Sequence, residues 1–206
     1  MLDLTFIIAS FLGTIAFTIS GFLQGVKKNL DLIGIFIVSL ITANGGGIIR
    51  DVLVGRTPLI LKNQEAFWIT LIVMVLGIVL KLHERTNLER RFMFIISDSV
   101  GLVAFSMTGT LIGLEFGLGI WGVITLSFIT AVGGGIIRDI IVNEVPQILG
   151  GGFYGTVAIV LAITVYLLHQ THYYNNFTAL IVFSLALALR LVAFFKNWSI
   201  PGVKLR

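Results

Sequence analysis

Seven stretches of apolar residues, separated by short polar connections, organise this 206-residue chain. They lie at about residues 4–23, 32–52, 66–82, 92–113, 117–142, 152–168 and 176–195. A helix that crosses the hydrocarbon core of a bilayer needs roughly 20 such residues. The pattern therefore predicts an all-α integral membrane protein with seven transmembrane helices. No connection is long enough for a soluble domain, so the function must operate within or across the membrane.

The apolar pattern also repeats. ITANGGGIIRD at residues 41–51 returns as ITAVGGGIIRD at 129–139, an offset of 88 residues. Over residues 41–61 against 129–149, 14 of 21 positions are identical without a gap, including Pro58 with Pro146. The same offset pairs the first span with the fourth, matching Gly13 with Gly101, Ala16 with Ala104, Phe17 with Phe105 and Gly21 with Gly109. The first span is thus expected to be a membrane span and not a removable leader, and its start at Asp3 lacks the basic patch of a leader. A unit of three spans begins and ends on opposite sides of the membrane. The two units, about residues 4–82 and 92–168, are therefore expected to be inverted relative to one another, an arrangement that puts a functional site between them. The span at about 176–195 has no counterpart and is read as an added helix.

Composition agrees with the membrane reading: 57% of residues are hydrophobic and 12% charged, with a mean hydropathy of +1.03, far from soluble domains. With the N-terminus outside, Lys27, Lys28, Lys81, Arg85, Arg90, Arg91, Lys196, Lys204 and Arg206 gather on the cytoplasmic side, against Arg56 and Lys62 outside. This bias predicts a cell (inner) membrane protein with an outer N-terminus and a cytoplasmic C-terminus. It also accounts for the net charge of +4 without a nucleic-acid partner. Trp68, Trp121 and Trp198 fall near span ends, as interfacial anchors do. The chain has no cysteine, which excludes thiolate metal sites and thiol chemistry.

Candidate chemistry concentrates in the repeated motif. Glycine inside a helix costs about 1 kcal/mol relative to alanine, so Gly45, Gly46, Gly47 and Gly133, Gly134, Gly135 need a purpose. Close helix packing is one. Three consecutive glycines point around the whole helix, however, and a break or kink explains all three. Irregular backbone at membrane depth survives only where it is buried in protein or lines a wet cavity, so the reading expects a polar path between the broken second and fifth spans. A phosphate cradle is disfavoured, because the spaced glycines and terminal Lys-Ser/Thr of that motif are missing. Arg50, Asp51, Arg138 and Asp139 follow the triplets as charged pore or gating candidates. Neighbours in sequence do not face each other on a helix, so each is expected to seek a separate partner.

Asp98 lies about six residues into the fourth span, ~9 Å deep at 1.5 Å per residue, and its repeat counterpart is the polar Ser10. An ion pair with Arg138 is geometrically possible and would give the path one acidic wall. Arg190 in the seventh span is read as snorkelling to the cytoplasm. Lys62, Glu115 and Glu144 are read as solvated loop charges, His169 and His172 as interfacial residues and not metal ligands, and Gly150–Gly152 as a loop. No metal site and no cofactor is expected.

The paired GGGIIRD motifs, the three-plus-three-plus-one span count and the length resemble the prokaryotic members of the trimeric intracellular cation channel family. The same bacterial domain is also catalogued as a glycine transporter. The resemblance covers about residues 4–195. It implies a homotrimer in membrane lipid, with one hydrophilic pore per protomer, kinks at the two glycine triplets, and passage of monovalent cations such as potassium and sodium. The residues themselves are compatible with a channel or with a secondary carrier of a small zwitterion such as glycine. A membrane enzyme has little support, since no nucleophile-base set or acid/base carboxylate pair is present.

Overall fold

A computed structural model describes residues 4–150 and 153–199, and every structural statement here concerns those residues. Asp3, Gly151, Gly152, Lys204 and Arg206, which entered the sequence reading, lie outside them. The fold is all-helical: α1 (Leu4–Lys27), α2 (Leu32–Leu53), the one-turn α3 (Leu59–Lys62), α4 (Glu65–Val79), α5 (Asn87–Glu115), α6 (Ile120–Ile141), α7 (Gly155–Gln170) and α8 (Asn176–Phe195). Five of these, α1, α2, α5, α6 and α8, are long and apolar enough to cross a membrane. At 15 and 16 residues, α4 and α7 are apolar but shorter than a full span. The expected seven spans thus correspond to five long and two short apolar helices, with α3 as an additional turn.

Local chemistry sets the helix ends. Asp31 caps α2 by accepting from the Gly34 amide at 2.7 Å. Capping boxes start α5 (Thr86 with Glu89) and α8 (Asn175 with Thr178), each satisfying amides that the first turn leaves without partners. Left-handed residues terminate α1 (Asn29), α2 (Gly55), α5 (Gly117) and α6 (Asn143), as glycine and asparagine commonly do past a helix C-terminus. The offset of 88 maps Asn29 onto Gly117 and Gly55 onto Asn143, so the stop signals are repeated even where the residue is not.

The centre is built by α1, α2, α5 and α6. Helix α1 packs on α2 and α5, while α6 packs on α5 and α2. Helix α4 leans on α1 and α2, and α7 leans in the same way on α5 and α6. Helix α8 packs on α7, α5 and, slightly, α1. Buried apolar side chains such as Leu102, Met107, Val157 and Leu161 form the largest core cluster. The outside is studded with exposed apolar side chains, among them Ile33, Val79, Leu88 and Leu185, the surface expected of a protein solvated by lipid.

Candidate functional site

The glycine triplets do not break their helices. Both α2 and α6 run helically through Gly45–Gly47 and Gly133–Gly135, which corrects the expected interruption. The glycines serve instead where the two helices cross. A Cβ on Gly46 would collide with the carbonyl oxygen of Thr130, and one on Gly134 with that of Thr42. On Gly133 it would sit 3.1 Å from the Gly46 Cα, and on Gly45 2.9 Å from Ile137 Cδ1. These pairs run in opposite sequence directions, so α2 and α6 are antiparallel, with backbone against backbone. The third glycine of each triplet has a different surrounding. A Cβ on Gly47 would meet only Arg50 Nη2, at 3.8 Å, whereas on Gly135 it would meet the Tyr154 hydroxyl at 3.4 Å.

Each crossing helix ends in the same charged unit. Arg50 Nε donates to Asp51 Oδ1 at 2.9 Å, and Arg138 Nε to Asp139 Oδ1 at 2.8 Å. The sequence neighbours therefore do pair, contrary to expectation. Their Cβ atoms diverge, but the long arginine stem curls back along the helix to one carboxylate oxygen. The other oxygen accepts a backbone amide from the following segment, Leu59 at 3.1 Å for Asp51 and Gln147 at 3.0 Å for Asp139. Each guanidinium lies over an aromatic ring, Phe6 at 5.6 Å for Arg50 and Phe94 at 4.8 Å for Arg138. Each also reaches a hydroxyl on the other unit: Arg50 Nη1 donates to Thr108 Oγ1 at 3.2 Å, and Arg138 Nη1 donates to Ser20 Oγ. All of these partners correspond under the offset of 88.

The units then diverge. Arg138 Nη1 donates to Asp98 Oδ1 at 2.6 Å, with both side chains fully enclosed; Ser10, the counterpart of Asp98, makes no such pair. A cavity of about 350 Å³ enters at the Arg50 end and extends inward past Ser10 and Gly47 to Thr14 and Asn44, with Ala66 in its wall. A second, of about 680 Å³, opens at the Arg138 end, lined by Lys27, Arg90, Arg91, Asp139 and Glu144. Their entrances correspond: Phe6, Ile7, Asp51 and Leu59 in the first match Phe94, Ile95, Asp139 and Gln147 in the second. Their depths do not. The counterparts of the inner wall, Asp98, Leu102, Val132, Gly135 and Tyr154, are all buried and line neither cavity.

Tyr154, Asn44 and Thr14 were not singled out by sequence reasoning. The signal was available, since extending the repeat beyond Leu149 pairs Tyr154 with Ala66. Structural contacts keep that register, because Thr18 faces Thr70 just as Ser106 faces Ala158. Arg190 does not snorkel. It is buried, with its guanidinium 4.6 Å from the Tyr154 ring centroid and its Nε without a hydrogen-bond partner. Glu144 is not simply solvated either. Lys28 and Lys27 reach it at 2.9 and 3.2 Å, and their hydrogen bonds hold its carboxyl below the ordinary glutamate value. Lys62, Glu115, His169 and His172 are exposed, and among the described residues no cluster of metal-ligating side chains occurs.

The family model described as glycine transporter matches residues 7–83 and 95–170. A UPF0126 membrane protein of Deinococcus radiodurans is 41% identical over 139 residues, 67% of this chain and 63% of that relative's length. A crystal structure of a prokaryotic TRIC channel in 0.5 M KCl superposes with a TM-score of 0.87 at 31% identity, covering 95% of this chain and 98% of that one. A structure described as the basis for conductance through TRIC cation channels gives 0.84, also at 31% identity, over 97% of both chains. With a matched family model across three quarters of its length and this likeness in fold and sequence, the chain belongs to the membrane-protein family of the prokaryotic trimeric intracellular cation (TRIC) channels, whose sequence model carries the glycine transporter description.

Proposed function

We propose that this protein is a homotrimeric channel for monovalent cations, potassium and sodium, with one pore in each protomer. The path runs beside the crossing of α2 and α6, entered from the two cavities at opposite ends of α1. The observation that carries the reading is the cavity at the Arg50 end, which reaches the glycine crossing between walls of Ser10, Thr14 and Asn44. Their oxygens can replace a cation's hydration, as pore linings do. Arg50 and Arg56 share Asp51 at the same wall and Glu65 also lines the cavity, so the guanidinium groups do not repel cations as bare charges would. The solved channels that this chain resembles support the same reading.

In this account seven spans cross the membrane as two inverted three-helix units plus α8. The N-terminus is outside, so the Arg50 cavity faces outward and the Lys27 end faces the cytoplasm. Gly45, Gly46, Gly133 and Gly134 act by letting the helix backbones touch, and Arg50, Asp51, Asp98, Arg138 and Asp139 fix the two ends of that crossing. Purified protein in a planar bilayer should give unitary potassium currents. A flat record, in protein shown to be folded and inserted, would refute the channel.

A second reading, carriage of glycine or a similar zwitterion, is favoured by the one-sided cavity with an arginine in its wall, which suits carboxylate binding and alternating access. It predicts saturable counterflow of labelled glycine in proteoliposomes without unitary currents.

A further inference from the structure

Tyr154 occupies the place that its counterpart Ala66 leaves open. Its hydroxyl lies where the environment of Gly135 differs from that of Gly47, and the inner wall around it is closed. Helix α8, which the offset of 88 pairs with no other helix, supplies the group that bears on this side chain. Arg190 stacks on the tyrosine ring at 4.6 Å and is itself 5% exposed. Buried polar atoms without hydrogen-bond partners at this end include Arg190 Nε, Arg138 Nη2 and Ser99 Oγ, while the Tyr154 hydroxyl meets the Asp98 carboxylate. Such atoms are costly when left unpaired. The closed arrangement is therefore held against a standing bias toward hydration, and something must hold it. A desolvated cation is attracted to the face of an aromatic ring.

We propose that Arg190 is a positioning residue of the conduction path: through its stacking on Tyr154 it keeps that side chain seated between Gly135 and the Asp98–Arg138 pair, closing the path at the Arg138 end. The added helix α8 thereby controls one of two otherwise equivalent entrances. This deepens the channel reading, on which it rests for its physiological meaning, but the occlusion itself is read without any current.

Because the chain contains no cysteine, a single introduced thiol reports accessibility cleanly. Ser99 is buried next to Asp98 on α5, and its counterpart Phe11 lines the open cavity. In Ser99→Cys, reaction with a membrane-impermeant, positively charged methanethiosulfonate applied on the Lys27 side of oriented vesicles should be slow. Adding Arg190→Gln should raise the rate at least about tenfold, the share of a 1.4 kcal/mol loss in holding the closed form. Arg190→Lys, which keeps a cation over the ring, should stay near the parent rate, and Tyr154→Leu should match or exceed Arg190→Gln. The proposal is overturned if Arg190→Gln leaves the rate unchanged while Tyr154→Leu raises it, or if Arg190→Lys opens the site as much as Arg190→Gln. Should Arg190→Gln fail to fold, Arg190→Lys against Tyr154→Leu still decides. A rate increase in protein that passes no current would retain the latch and reject the channel.

Discussion

The Arg50 end and the Arg138 end of this molecule share a scaffold and differ in what fills it. Both have an arginine curled onto the next aspartate, an aspartate receiving a downstream amide, an aromatic ring over the guanidinium and a hydroxyl from the other unit. Four deeper positions separate them: Ser10 against Asp98, Thr14 against Leu102, Asn44 against Val132 and Ala66 against Tyr154. The first set surrounds a cavity that reaches the helix crossing, and the second is packed shut. The repeated motif thus builds the frame, and the residues that are not repeated decide which end is open.

The most severe way to disturb this comparison is to remove the buried carboxylate of Asp98, whose counterpart Ser10 is neutral. Asp98→Ala leaves Arg138 enclosed with a single carboxylate, Asp139, and breaking a buried pair costs about 3–5 kcal/mol. Thermal unfolding of the detergent-solubilised protein should show a large loss, whereas Ser10→Ala at the equivalent position should barely move the transition. Equal effects at the two positions would remove the asymmetry from the energetics.

Next in size are the crossing glycines. Gly46→Ala and Gly134→Ala force a methyl into a facing carbonyl, and overpacking of this kind costs typically 1–3 kcal/mol. Gly47→Ala meets nothing closer than the movable Arg50 Nη2 at 3.8 Å and should be neutral or slightly stabilising. If all three behaved alike, the triplets would be acting through backbone flexibility and not through contact.

A functional exchange sharpens the comparison without relying on stability. Tyr154→Ala gives the Arg138 end the side chain of the open end, and Ala66→Tyr does the reverse. In planar bilayers the first should raise open probability and the second should lower conductance, each by a few-fold to tenfold for a group worth about 1 kcal/mol. The smallest effect is expected at the rim. Glu144 titrates below the ordinary glutamate value because Lys28 and Lys27 favour its charged form. The contact is therefore intact above the unfolded-state value and is lost as pH falls through the lowered one. Glu144→Gln should abolish that acid-dependent component and its salt sensitivity, producing a small loss at neutral pH that disappears below the lowered value.

Much of this arrangement was legible in the residue order. The apolar runs located the long helices, and the offset of 88 matched α1 with α5 and α2 with α6. The depth of Asp98 pointed to the residue that Arg138 meets. What escaped the reading was decided by tertiary contact. Helix propensity counts Gly45–Gly47 as a weak point, but an antiparallel neighbour whose backbone needs that space keeps the helix intact. The rule that adjacent side chains diverge describes Cβ directions and not the reach of an arginine, so Arg50 and Asp51 pair after all. Arg190 looked like a residue bound for the interface, because nothing in its own helix reveals the ring of Tyr154, the residue that precedes α7.

Side-specific thiol labelling at one repeat position in both copies distinguishes an end that is open from one that is packed shut. In the cysteine-free chain, Asn44→Cys and Val132→Cys occupy equivalent places beside the crossing. The account predicts rapid modification of Asn44→Cys from the Arg50 side with loss of potassium current, and no modification of Val132→Cys from either side. Equal rates at the two positions, or a current untouched by modification at residue 44, would contradict it.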